Sequence, residues 1–143
     1  SKTDYSLLRG NLNHLLLKNL SENIDSEYPQ QIFEVGRVFI QEKTDDKIKE
    51  KTLLAVGVSP GNFTKIRQIL EYLFRMMEKE IIVKETENFP PYFIEGRTAE
   101  IIFNEKAIGF MGEIHPKILK NWKIKMPVAL FEIELDDVFK GLT

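Results

Sequence analysis

Gly96 to Leu119 reads Gly-Arg-Thr-Ala-Glu-Ile-Ile-Phe-Asn-Glu-Lys-Ala-Ile-Gly-Phe-Met-Gly-Glu-Ile-His-Pro-Lys-Ile-Leu, and the pattern predicts a β-hairpin that feeds a helix. Thr98 to Phe103 alternates small or polar residues with apolar ones, Asn104-Glu105-Lys106 supplies turn chemistry, and Ala107 to Met111 returns as a second strand. Gly109 and Gly112 fall in or just after that strand. Glycine weakens a strand, so its presence there marks a bulge or a close backbone approach. His115-Pro116 opens the helix, because proline is tolerated at a first helical position where its missing N–H is not needed.

The rest of the chain can be laid against this hairpin. Downstream, a Lys-rich connection through Trp122 leads to a strand from Val128 to Leu135. There Ala129, Phe131, Ile133 and Leu135 alternate with Val128, Leu130, Glu132 and Glu134, and Asp136 is placed to cap a final helical turn. Upstream, Phe89-Pro90-Pro91 follows a strand from Ile81 to Glu85. Before that strand a helix starts at the N-cap residue Asn62, with Ile66, Ile69, Leu70, Leu73 and Met77 on one face. Ser59-Pro60-Gly61 closes a strand from Thr52 to Val58. The charged run Glu42 to Lys51 reads as a solvated hairpin loop after a strand from Ile32 to Phe39. Near the amino end, Leu12, Leu15, Leu16 and Leu20 mark a helix over Asn11 to Ser21, and Tyr5 to Arg9 reads as the tail of a strand. The elements run helix, two strands, helix, then four strands with one helix between the last pair. Short connections between strands predict an α+β fold, a mostly antiparallel sheet with helices on one side.

Composition narrows the function classes. The 143 residues are 43% hydrophobic, enough for one domain, since a chain of about 150 residues buries roughly 68–70% of its unfolded surface. Lys and Arg (20) nearly balance Asp and Glu (22), for a net charge of −2. The two signs interleave, which argues against a general nucleic-acid coat. No apolar run approaches the roughly 18 residues of a membrane span. Cysteine is absent, so disulfides are excluded, and the cytosol is the expected compartment.

Little chemistry stands out on residue type alone. Glu113 and His115 could share a metal, but two ligands do not make a zinc site, and a histidine heading a helix serves as a cap. Glu132, Glu134, Asp136 and Asp137 could be read as paired carboxylates for acid–base work, or as an exposed polar strand face plus a helix cap. His14 sits among leucines as a helix-surface residue, and the glycines never cluster into a phosphate loop. Met76-Met77 and the ten phenylalanines read as core.

Six ordered strings carry a resemblance. They are Tyr5-Ser6-Leu7-Leu8-Arg9, Ile32-Phe33-Glu34-Val35-Gly36-Arg37-Val38-Phe39, and Ser59-Pro60-Gly61 with the amphipathic helix after it. Ile94-Glu95-Gly96-Arg97-Thr98-Ala99-Glu100-Ile101 follows, then Ile108-Gly109-Phe110-Met111-Gly112-Glu113-Ile114-His115-Pro116, then Met126-Pro127-Val128-Ala129-Leu130-Phe131-Glu132-Ile133-Glu134. In this order, over essentially the whole chain, they are similar to the C-terminal synthetase-like domain of the phenylalanyl-tRNA synthetase beta subunit family, in its archaeal and eukaryotic form.

The resemblance implies a class II synthetase fold, an antiparallel sheet flanked by helices, with residues 1–143 as one domain excised from a longer beta subunit. It also implies a catalytic alpha subunit as partner, in an alpha2beta2 heterotetramer that uses ATP and magnesium to attach phenylalanine to tRNA. In an active copy an arginine after the first motif strand holds the ATP phosphates, but Ile40 stands there. Where the last motif would offer glycines and an arginine, this chain has Glu132, Glu134, Asp136 and Asp137. Carboxylates repel a triphosphate, and one lost donor costs about 2.7–4 kcal/mol of transition-state stabilisation. The expectation is therefore a catalytically degenerate copy without cofactor of its own, which braces the alpha subunit and by itself binds tRNA weakly or not at all. Tyr5, Arg9, Gly36, Arg37, Gly96, Arg97, Glu100, Gly112, Glu113, His115 and Pro116 are its candidate interface or degenerate-motif residues, Arg9 first because it lies nearest the motif expected upstream. A synthetase-derived interaction domain of another complex is the alternative.

Overall fold

A computed structural model describes residues 14–23, 29–41 and 48–140. Helix α1 covers residues 14–22. It is followed by β1 (Gln30–Gln41), β2 (Ile48–Ser59), α2 (Phe63–Met76), β3 (Ile82–Glu85), β4 (Phe93–Phe103), β5 (Lys106–Ile114), α3 (Pro116–Asn121) and β6 (Ala129–Glu134). The six strands form one sheet in the order β1-β2-β6-β5-β4-β3, every neighbouring pair antiparallel. This is the element order and α+β class read from the sequence. The strand made last, β6, lies in the middle, between the β1–β2 ribbon and the β4–β5 hairpin.

The hairpin is closed by two residues, Asn104 and Glu105, with φ of +48° and +65°. Such left-handed pairs twist in the same sense as the strands they join. Lys106, expected in the turn, is instead the first residue of β5 and pairs with Phe103. Gly109 lies between Ile101 of β4 and Ile133 of β6. A Cβ there would overlap the Glu132 carbonyl oxygen and stand 2.9 Å from Ile133 Cα, the close backbone approach that a glycine in the returning strand signals.

Two apolar layers hold the sheet. Ile66, Leu70 and Phe74 of α2 pack on Val56, Val58, Ile101, Met111, Phe131 and Ile133. Ile69, Leu73 and Met77 sit at the margin of that contact, and Phe74, one step round the helix, is buried with its ring 6.1 Å from Phe103. Asn62 caps α2 by accepting the Lys65 N–H at 2.8 Å. On the opposite face, Leu16, Leu17 and Leu20 of α1 meet Leu53, Ala55 and Leu130. Helices therefore cover both faces, not one. Central strand β2 is apolar on both sides, Leu53 and Ala55 against Leu54, Val56 and Val58, and each side needs its own cover. Helix α1 is also turned relative to its predicted face, because Leu15 is exposed and Leu17 is buried.

Further expectations are corrected. Within the charged run, Ile48 to Lys51 belongs to β2 and pairs with Val38 to Gln41; residues 42–47, like Tyr5 to Arg9, lie outside the described residues. A two-stranded ribbon lets charged side chains stay hydrated while the backbone pairs. Asp136 opens no helix: Val138 and Phe139 donate to the Leu135 carbonyl in a turn, and Asp136 accepts the Thr52 N–H at 2.9 Å. Met76, Phe33, Phe39 and Phe139, read as core, are exposed. Phe33 and Phe39 are so because α2 packs on the central strands and leaves the β1 face uncovered, and Met76 because it ends α2 away from the buried Ile66, Leu70 and Phe74.

The close approach at Gly109 is testable. Gly109→Ala should destabilise the chain by about 3 kcal/mol, the upper end of the overpacking range, because backbone rather than a side chain must move. Gly57→Ala should cost clearly less, since its Cβ meets only the flexible end of Leu16. Urea midpoints for the two variants check the order.

Candidate functional site

Strand β6 is buried along its whole length. Phe131 and Ile133 face α2, so alternation turns Leu130, Glu132 and Glu134 toward the α1 face. Glu132 stands between Ala55 and Phe110 on the flanking strands, and Glu134 opposite Leu53. Their exposures are 1% and 3%. The expected exposed polar face is overturned. The sheet interior, not the sequence alternation, decides the environment of these two carboxylates.

A buried carboxylate is retained only with charge or hydrogen-bond compensation. Glu134 Oε1 lies 2.6 Å from Lys51 Nζ, across the β2–β6 pairing. Asp136 takes the Thr52 N–H, and Asp137 pairs with Lys106 at the head of β5. The acid-rich end of the chain thus stitches β6 and its turn to β2 and β5. Glu134, Asp136 and Asp137 are each engaged within the fold. The cations beside them, Lys51 and Lys106, are held by Glu134 and Asp137.

A second cluster forms at the far end of β5. Glu113 Oε2 accepts the Phe63 N–H at 2.9 Å, and its Oε1 accepts from Arg97 at 3.1 Å. The carboxylate thereby satisfies one of the free N–H groups at the start of α2 and sits at the positive end of its dipole. Gly112 lies beneath, where a Cβ would come within 2.8 Å of the Arg97 carbonyl and the Phe93 ring. His115 caps α3, its Nδ1 accepting the Lys117 N–H at 3.1 Å, with Pro116 at the first helical position. The shared-metal reading of Glu113 and His115 fails because the two side chains serve different helices. Among the described residues no group of three or more potential ligands could hold a metal ion.

The structure therefore brings Arg97, Gly112 and Glu113 together, with His115 and Pro116 just beyond. Gly96 is exposed within β4 with φ +81°, where the pairing with β5 shifts register between Phe93 and Thr98. Glu100 is half-buried in β4, opposite Phe110 and Lys84. Gly36 and Arg37 lie on β1, with two strands between them and β5. Among the described residues Arg37 makes an exposed ion pair with Glu50 at 3.5 Å, a kind that contributes little. Tyr5 and Arg9 lie outside the described residues. His14, as expected, is on a helix surface, edge-on to Trp122 at 4.7 Å.

Sequence reading missed an apolar stripe. Phe33, Val35 and Phe39 are 57%, 65% and 71% exposed. They alternate along edge strand β1 on its α2 side, opposite Val56, Leu54 and Glu50. Ile48 of β2 extends the patch. The available signal was two-sided hydrophobicity, with Ile32 and Val38 on the inner face as well, in a strand that can be covered on only one side.

Comparison with known proteins gives consistent matches. Residues 1–135 match the family model described as the phenylalanyl tRNA synthetase beta chain CLM domain. The phenylalanine–tRNA ligase beta subunit of Thermococcus sibiricus is 41% identical over 140 residues, which is 96% of this chain and 25% of that protein. That of Thermococcus kodakarensis is 42% identical over 138 residues (94% and 24%), and that of Archaeoglobus fulgidus 36% over 137 (96% and 24%). The chain thus spans about a quarter of the length of these curated relatives. Among solved structures, two of pyrrolysyl-tRNA synthetase from Desulfitobacterium hafniense superpose with TM-scores of 0.68 and 0.63. They are 14% and 17% identical, covering 90% and 87% of this chain and 47% and 46% of theirs. At that identity the match shows the fold, which is that of class II synthetases.

The acid network makes two predictions. Lys51→Ala should cost about 2–3 kcal/mol, below the roughly 3–5 kcal/mol for breaking a fully buried pair because Lys51 is 24% exposed. Lys51→Met with Glu134→Leu should recover most of that loss in a denaturation series.

The Lys106–Asp137 contact sets a pH window. The hydrogen bond from Lys106 lowers the Asp137 pKa below its ordinary 3.8, and the same bond to Asp137 raises Lys106 above 10.5. A depressed carboxylate contributes stability above its unfolded pKa and loses it as pH falls further; a raised lysine contributes below its own and loses it as pH rises further. The contribution should therefore be level between about pH 4 and 10.5 and fade outside. Asp137→Asn should flatten both flanks of the urea-midpoint profile.

Proposed function

The chain belongs to the phenylalanyl-tRNA synthetase beta-chain family, and on that premise we propose that it is a catalytically silent synthetase domain that braces the catalytic alpha subunit of phenylalanine–tRNA ligase. The observation that carries the silent reading is the state of β6. Where an active copy would present a cradle for ATP, this chain buries Glu132 and Glu134, and its Lys51 is held by Glu134. Carboxylates in that position oppose a triphosphate rather than bind it. ATP and magnesium are then used on the alpha subunit, in an alpha2beta2 assembly in the cytoplasm that also takes up tRNA. No helix among the described residues is long and apolar enough to cross a membrane.

The apolar stripe of β1 supports the bracing role. An edge strand with an exposed aromatic face, twelve residues long, is a liability that natural proteins cover. Phe33 and Phe39 are the anchors in this reading, since aromatic side chains carry most interface energy. Tyr5 and Arg9 are proposed as further anchors toward the same subunit, on the strength of the family resemblance.

With ATP, phenylalanine and magnesium, the chain alone should show only background pyrophosphate exchange, and turnover above a heat-killed control would overturn the silent reading. Full-length beta subunit carrying Phe33→Ser and Phe39→Ser should co-purify with alpha at least tenfold less efficiently while remaining folded. Undiminished co-purification would remove β1 from the interface.

A further inference from the structure

Lys117 to Lys125 holds four lysines in nine residues, at 117, 120, 123 and 125, without an acid among them. The structure turns all four outward. Ile118, Leu119 and Trp122 pack partly buried against the α1-side layer, and Ile124 is buried within it. Lys117 and Lys120 lie one turn apart on the solvent face of α3, and all four lysines are exposed. Lys123, with φ +58°, ends the helix as its left-handed residue and sends its N–H back to the Lys120 carbonyl at 3.0 Å. The Trp122 carbonyl accepts from Ser21 of α1 at 2.8 Å, fixing the end of α3 to its neighbour. The ridge is thus held on a packed base.

Its charges are uncompensated. Among the described residues, none of the four ridge lysines forms an ion pair; other cations such as Arg75 and Lys84 form none either, but the ridge gathers four of them in one segment. Glu22 of α1 faces Lys18, and Glu113 holds Arg97 and the start of α2. In a chain of net charge −2, this is a concentrated positive surface.

We propose that this lysine ridge is a docking surface for the phosphate backbone of RNA, tRNA in the complex to which the chain is assigned above, and the proposal rests on that reading for the identity of the RNA. The chemistry favours nucleic acid over an acidic protein. Protein interfaces are enriched in aromatic residues, Met and Arg and depleted in Lys. The ridge exposes lysines with no Met or Arg among them and its one aromatic, Trp122, packed partly into the layer below. Lysine is a flexible point charge that suits phosphate oxygens without reading sequence. Four such contacts are weak and salt-sensitive alone, so the ridge orients RNA held mainly by the rest of the assembly.

The test uses the intact alpha–beta complex carrying Lys117→Gln, Lys120→Gln, Lys123→Gln and Lys125→Gln. The KM for tRNA should rise about tenfold near 0.15 M salt, and the slope of its logarithm against log salt should shrink by roughly 2–4, about one unit per lost phosphate contact. tRNA-independent pyrophosphate exchange and co-purification of the subunits should not change, and the fourfold Lys→Arg variant should retain native behaviour. An unchanged KM and slope would overturn the proposal, as would a Gln variant that no longer assembles, because the ridge would then face protein. Should the unmodified complex charge no tRNA, the reading under Proposed function fails instead. Anisotropy titration of labelled bulk tRNA then decides for the ridge alone, and equal affinity of native and Gln complexes would sink it.

Discussion

Strand β6 has no free side. It is the last strand in sequence and the third in the sheet, hydrogen-bonded to β2 and β5 and covered by apolar layers on both faces. Much of the interior of the chain follows from that position. Gly109 must be glycine because the backbone of β6 passes where a Cβ would stand. Lys51 must reach across from β2 because a carboxylate at Glu134 has lost its water. The turn after β6 is tied back by Asp136 and Asp137 to the strands on either side.

This arrangement commits polar groups to cohesion. A phosphate-handling site needs donors left open toward a ligand, held in place by a surrounding shell. In β6 and its turn, Glu134, Asp136 and Asp137 are bound within the fold itself. Glu113 does the same for the opposite end of the sheet, where one carboxylate binds Arg97 and the start of α2. The surfaces left with unspent interaction capacity lie elsewhere: an apolar stripe on the outer strand and a cationic ridge on α3. Their chemistry differs, aromatic at one and cationic at the other.

Much of this architecture was legible in the residues. The order of helices and strands, the hairpin around Asn104 and Glu105, the Asn62 cap and the Pro116 helix start all rest on local signals, and local signals survive folding unless tertiary contacts override them. Gly109 and Gly112 announced close approach before any partner was known. Ile66 and Leu70 marked the buried side of α2. The family followed from six short strings whose order is itself information, without any knowledge of what each string touches.

What only the tertiary structure decided is where a two-faced element ends up. Glu132 and Glu134 alternate with apolar residues just as an exposed strand face would, and nothing local distinguishes an edge strand from one inserted at the centre of a sheet. Phe33 and Phe39 pose the opposite case, aromatic residues in a β-rich run that look like core and lie outside it because α2 does not reach β1. The pairing of Lys51 with Glu134 spans 83 positions, and α1 covers a face that the sequence had left bare. Periodicity records which side chains share a face; burial depends on which strands and helices come to lie against that face, and that is set by contacts distant in the chain.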